Sequence, residues 1–306
     1  MSLRPALCLL AALSVSGCTG PPPVRLDRVP LAELPEHYRE LWTAWLQEAP
    51  DWSERREACR SDPAVCTFLV ENLAAVFLES YARSELATHS SGGHGTFERA
   101  RAELLILGEE AVPTLMELHV IGDGATAHLT AEVLTAIGTP CIPACLERMD
   151  RPEAQARRRA VYLLGQLPHG QDLEPEVRTA LAGRLAADED WLVRKTAAVA
   201  VAQRGARDTI LYPARNALTR ALADPDQAVA AAAATGLASL DDPRAVPDLI
   251  GFLRRAEENS AFALYRVGQE ALQTLTGTTG RRSVREWGQW YRTWEAERKK
   301  TRDTGN

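Results

Sequence analysis

The sequence lacks the features that announce a membrane channel, a nucleic-acid binder or a hydrolase. No unbroken apolar run approaches the roughly 20 residues that a bilayer-crossing helix needs; the one at Ala6 to Val15 is ten residues long. There is no basic excess, since 35 Lys+Arg stand against 41 Asp+Glu for a formal charge of −6. Displacing counterions from a polyanion requires a cationic stripe, so nucleic acid is not an expected partner. GxSxG, P-loop, HExxH and dinucleotide fingerprints are absent, and the chain is expected to be no enzyme and to carry no cofactor. An apolar fraction of 45% with 25% charged residues is that of a soluble globular protein.

What is present begins at the N-terminus. Arg4 precedes the apolar run, and Val15-Ser16-Gly17-Cys18 follows it. A charged start, a short apolar core and small residues before a processing point are the marks of an export signal. The tetrapeptide resembles the bacterial lipobox, which implies cleavage before Cys18, lipidation of its thiol and a mature chain held at a membrane. Acyl chains contribute about 0.8 kcal/mol per buried CH₂, so several together anchor a protein without a spanning helix. Residues 1–17 are thus expected to be a cleaved signal and 18–35 a tether, whose five prolines exclude a helix interior. Thr19 after the lipidated cysteine points, by the resemblance, to the outer membrane of a bacterial cell envelope.

Prolines set the register of the remainder. Pro113, Pro143, Pro175, Pro213 and Pro247 are spaced by 30, 32, 38 and 34 residues, the interval of helical-hairpin arrays. An apolar stripe at helical spacing follows, as in Val246, Leu249, Ile250 and Leu253. Proline is tolerated in the first turn of a helix, where its missing N–H costs nothing, so each opens the second helix of a hairpin. The first helices end at Leu107-Gly108, Ile137-Gly138, Leu164-Gly165 and Arg204-Gly205, where glycine suits a left-handed C-terminus. Asp150, Asp188 and Asp224 are placed to begin them. Their interiors are rich in alanine, which lets neighbouring helices approach closely.

These segments resemble the HEAT and HEAT-like, phycobilin-lyase-type repeats, most clearly in DEDWLVRKTAAVAVAQRG at 188–205 and DPDQAVAAAAATGLASLDDPRAVPDLIGFL at 224–253. The resemblance implies an all-α fold: a right-handed α-solenoid of about five HEAT-type helical hairpins with an N-terminal helical cap. Residues 36–96 are assigned to cap and loop, 97–276 to the repeats, and 277–306 to a C-terminal capping helix and polar tail. Ala230 and Thr130 stand where the family has Arg, interrupting an Asp–Arg ladder. In this register Ala233 and Ala234 face the core and Ala230 faces solvent.

Among chemically capable residues, Cys59, Cys66, Cys141 and Cys145 are an even number in an exported chain, and disulfides 59–66 and 141–145 are the simplest pairing. A Cys₄ zinc site fits less well, because the spacings differ, and no metal is expected. His89 and His94 flank a Gly-Ser loop without a carboxylate at ligand spacing. Arg157, Arg158 and Arg159, with Arg148 and Arg151, are read mostly as a solvated face, and Trp287, Trp290, Tyr291 and Trp294 as the core stripe of the last helix. The function these features favour is a membrane-tethered scaffold that binds an envelope protein or peptide on the concave face of the array. The alternatives are a phycobilin-lyase-like enzyme, another small-ligand-handling protein, or a structural lipoprotein contacting peptidoglycan.

Overall fold

In a computed structural model of the protein, residues 31–86, 92–169, 173–207 and 211–304 are described, and every regular element among them is helical. The chain divides into two compact units, Met1–Ala144 and Cys145–Asn306.

The first unit contains α1 (Glu36–Leu46), α2 (Trp52–Cys59), α3 (Pro63–Leu86), α4 (Gly92–Leu107), α5 (Val112–Ile121) and α6 (Gly124–Ile137). Helix α3 packs along α4 and against α5, and α5 lies against α6, so α3 and α5 form one layer and α4 and α6 the other. Leu69, Val70, Leu73, Ala74 and Phe77 of α3 are buried. Pro63–Ala82 is long and apolar enough to cross a membrane by length and composition, with half of it buried in the protein. Glu71 and Glu79 interrupt this segment, so it presents no unbroken apolar run. Helix α1 is fixed by Trp45, over whose ring the Arg99 guanidinium lies at 4.2 Å while also donating to the Trp45 carbonyl. Helix α2 is not legible in the sequence, since WSERREAC buries only Cys59 and shows no apolar stripe. Helix α4 starts at Gly92, so part of the segment read as a loop at 88–96 is helical, and 87–91 lie outside the described residues.

Helix α7 (Ile142–Met149) crosses the division between the units. The second unit continues with α8 (Ala154–Gln166), α9 (Glu174–Ala187), α10 (Trp191–Gly205), α11 (Tyr212–Ala221), α12 (Gln227–Ser239), α13 (Val246–Glu258), α14 (Phe262–Thr276) and α15 (Val284–Thr304). Helices α8, α10, α12 and α14 pack in series as one layer, while α9 meets α11 and α13 meets α15 in the other. This is an α-solenoid arrangement of HEAT-like hairpins. All five register prolines occupy the second residue of a second-layer helix. Helix α15 joins that layer without a proline; Ser283 and Glu286 cap it reciprocally, with Ser283 N donating to Glu286 Oε2 at 2.6 Å and Glu286 N to Ser283 Oγ at 3.3 Å.

Three local expectations are corrected. Gly108 and Gly138 have φ of 62° and 86°, as a left-handed helix end requires, but Gly165 and Gly205 are helical and serve close packing. A Cβ on Gly165 would lie 3.0 Å from the Cα and Cβ of Ala200, and one on Gly205 only 2.5 Å from Ala214 Cβ. Asp150, Asp188 and Asp224 do not N-cap the first-layer helices. The caps are Asp123, Asp190 and Asp226, two of them standing two residues further on, and Asp190 Oδ1 accepts from Leu192 N at 2.8 Å and Val193 N at 3.0 Å. Ala233 and Ala234 are buried as expected, but Ala230 is also buried, at 2% exposure. The face that accommodates Arg194 one hairpin earlier is covered in α12.

Overpacking a filled core costs about 1–3 kcal/mol, so Ala233→Leu should lower the thermal midpoint clearly. Thr235→Ala, at an exposed position of the same helix, should stay within about 0.5 kcal/mol of wild type. Equal midpoints for the two variants would contradict the packing of α12 described here.

Candidate functional site

The polar chemistry of the second unit is concentrated in the turns between helices. In Asp188-Glu189-Asp190 and Asp224-Pro225-Asp226 the first aspartate accepts the amide of the third, at 3.0 and 2.9 Å, and the third caps the next helix. A guanidinium from the preceding first-layer helix closes on the first aspartate with two bonds. Arg157 reaches Asp188 at 2.9 and 2.9 Å, and Arg194 reaches Asp224 at 2.8 and 3.0 Å. The same arginines turn back to the loops that lead into their own helices. Arg157 Nη1 donates to the carbonyls of Arg151 and Pro152, and Arg194 Nη1 to those of Asp188 and Glu189. Arg157 therefore does not belong to a solvated cluster: it is 5% exposed, because a bidentate fork with two further carbonyl acceptors offsets its desolvation.

A second buried pair went unread. Arg204 on α10 is 1% exposed and donates through Nε and Nη2 to Glu174, the first residue of α9, with Nε–Oε1 at 3.0 Å. Its Nη1 donates to the carbonyls of Leu164 and Leu167 at 2.6 and 3.1 Å, which satisfies the C-terminal end of α8. The sequence held a signal for it. The residue before the proline is apolar or aromatic in the other four second helices but is glutamate at 174, and the residue before the terminal glycine is apolar in the other three first helices but is arginine at 204. Two departures of opposite charge, 30 residues apart, mark the pair.

Beside Arg204 a groove of about 450 Å³ opens between α9 and α11 over α10. Its walls include Leu181, Ala182, Val201, Ala214 and Ala217, with Arg178 and Thr179 on α9 and Arg204 and Gly205 on α10. The gap follows from residue size. Gly205 and Ala214 touch closely at one end, while Ala182 and Ala217 leave unfilled the volume that larger side chains would take. This space lies within the range of ligand pockets, roughly 300–1,000 Å³. The sequence supplied no candidate for such a pocket.

The remaining predicted residues do not gather into one site. Cys18 and His89 lie outside the described residues. Cys59, Cys66, Cys141 and Cys145 are buried free thiols, and no disulfide occurs among them in the structure. Burial pushes the thiols of Cys59 and Cys141 up to about 12, so both stay protonated at neutral pH. Among the described residues no group of His, Cys, Asp and Glu is arranged to hold a metal ion. Of the aromatic stripe on α15 only Trp287 is fully buried, donating to Gln269 Oε1 at 3.0 Å; Trp290, Tyr291 and Trp294 are partly exposed.

Comparison with known families matches residues 184–264 to HEAT repeats. Residues 184–264 are thus a HEAT-repeat segment within an all-α chain. The HEAT match runs from the end of α9 to the start of α14, so it takes in α10 and α11 of the groove and most of the ladder. Among solved structures, the X-ray structure of the Escherichia coli protein YibA is similar at 18% identity and a TM-score of 0.48, over 63% of this chain and 67% of that one. No curated protein matches the sequence.

The ladder of this HEAT-like array has a predictable response to acid. Burial alone would raise the Asp188 carboxyl, but hydrogen bonds from Arg157 and the Asp190 amide, with the charges of Arg157 and Arg184, hold it below the usual carboxylate value. A depressed folded value means that the stabilisation is complete above the unfolded value of about 3.9 and is lost as pH falls through the folded value. Asp188→Asn should cost about 3–5 kcal/mol at pH 7, the scale for removing one partner of a buried pair. The gap in melting midpoint between variant and wild type should narrow as pH is taken below about 4. A gap unchanged between neutral and strongly acidic pH would show that the pair does not titrate as described.

Proposed function

We propose that this HEAT-like array is an interaction scaffold tethered to a bacterial envelope membrane, the outer membrane by its Thr19, through a lipid on Cys18. Its docking point is the α9–α11 groove. The observation that carries this reading is the groove itself: an apolar slot between two second-layer helices, in a repeat fold that binds along that layer. Its lining residues include two arginines and no carboxylate. Glu174 neutralises Arg204. The occupant that fits is a peptide segment of an envelope protein, with one apolar side chain in the slot.

The test places a photo-crosslinking residue at Ala217 in the full chain, with Thr235, exposed on the other layer, as control. Discrete protein adducts at 217 and not at 235, lost when Ala182→Trp fills the slot, are the expected outcome. Adducts to peptidoglycan would support the structural-lipoprotein reading instead, and adducts to a small molecule the ligand-handling one. Tethering is tested separately: Cys18→Ser should move the protein from the detergent-rich phase to the aqueous phase or leave it unprocessed, and unchanged partition and mass would remove the lipid anchor from the proposal.

A further inference from the structure

Helix α2 poses a problem of anchorage. It is eight residues long and buries one side chain, Cys59, so hydrophobic burial cannot hold it. Its other attachments are polar. Trp52 Nε1 and Arg56 Nη1 donate to Glu103 of α4 at 2.8 and 3.1 Å, and Arg60 Nη2 donates to the Ile106 carbonyl at 2.7 Å. The chain then turns tightly into α3. Asp62 N donates to the Cys59 carbonyl at 3.0 Å and Cys66 N to the Asp62 carbonyl at 2.9 Å. This pair of bonds brings the ends of the two helices together with Cys59 and Cys66 facing each other, 4% and 5% exposed. The Cys59 thiol donates to the Arg56 carbonyl at 2.9 Å, and the Cys66 thiol lies close enough to interact with it. The Cys141 thiol also donates to a backbone carbonyl, that of Leu134 at 3.3 Å, but burial alone shifts it, without the influence of a second cysteine that Cys59 and Cys66 show.

We propose that Cys59 and Cys66 form a disulfide that staples α2 to α3, and that Cys141 and Cys145 remain thiols. The oxidant is a disulfide, small or protein-borne, of the kind found in oxidising compartments. Cys66 loses its proton and attacks one sulfur of the oxidant, forming a mixed disulfide and releasing one thiolate. Cys59 loses its proton and attacks the Cys66 sulfur of the mixed disulfide, releasing the second thiolate. The two cysteine protons pass to the two released thiolates, so the pair is oxidised by two electrons and the oxidant is reduced to two thiols. Burial keeps both thiols protonated while α2 is docked, so exchange proceeds during folding or when α2 opens.

The test reduces and unfolds the full chain, refolds it in a mixture of reduced and oxidised glutathione, then quenches, alkylates and digests it with trypsin. Trypsin cuts after Arg60, so a bridged pair is recovered as two linked peptides that reduction separates, with Cys141 and Cys145 alkylated. Hydrogen exchange of the α2 amides in the same oxidised protein should be slower than in the reduced one by roughly tenfold or more. Alkylation of both Cys59 and Cys66, or a bridge that joins either of them to Cys141 or Cys145, would overturn the proposal. So would a 141–145 bridge. An intact 59–66 bridge with no change in exchange at α2 would overturn the staple.

Discussion

The bidentate closure of an arginine on the aspartate of the next turn is the interaction on which the second unit depends. Helix interiors satisfy their own backbone, and their apolar faces pack wherever shapes allow, but the turns have neither resource. In the turn at 188–190 one carboxylate accepts a guanidinium and a backbone amide, while the same class of guanidinium, from α8 and then from α10, also binds carbonyls leading into its own helix. Each arginine therefore fixes two turns at once. With the turns fixed, alanine and glycine on the facing helices can come into contact at Gly165 with Ala200 and at Gly236 with Ala202. Close contact of that kind tolerates little rotation, so turn geometry and helix packing support one another.

The groove is a consequence of the same economy of size. Small residues bring first-layer helices together, and where small residues also occur on the second layer, at Ala182 and Ala217, the helices no longer fill the space between them. The turn under the groove is stiffened by Arg204, whose fork spans Glu174 and the end of α8. The slot has apolar walls, and the charged groups at its floor, Arg204 and Glu174, are paired with each other.

Much of this fold was legible in the sequence because it is written in residues with strong backbone preferences. The five prolines gave the second-layer helices to within a residue, and Ala233 and Ala234 gave the buried face of α12. What was not legible had other causes. Helix α2 has no apolar period to read, and its anchors are side chains that meet α4 over about 50 positions in sequence. Gly165 and Gly205 were misread because a glycine that ends a helix and one that admits a neighbour look alike without coordinates. Asp188 and Asp224 were misread because two aspartates, two residues apart, both suit a helix start, and only the position of the arginine decides which one caps. The groove depends on volumes missing from two helices at once, which no single segment records.

The break in the ladder at Ala230 tests whether its rungs are units. Arg157 and Arg194 find their aspartates 31 and 30 residues on, and 30 residues beyond Ala230 stands Ser260, not an aspartate. Both halves of the third rung are thus absent. A lone arginine at 230 would bury a charge without an acceptor, and a lone aspartate at 260 would lose its cation, each a larger penalty than having neither. Ala230 is buried and apolar in consequence, and the polar links of this part of the unit lie elsewhere. Asp242, in the turn before α13, accepts from Arg215 of α11 at 2.6 Å and from Arg244 at 2.9 Å, and Thr219 donates to Asp248 at 3.1 Å. These bonds join α10–α11 to α12–α13, the two hairpins that Arg194 and Asp224 already join, so they add a second link at the turn that enters a second-layer helix and do not replace the missing rung to α14. Arg204 and Glu174 make a link of this second kind one hairpin earlier, beside the groove, where Arg157 and Asp188 supply the first kind.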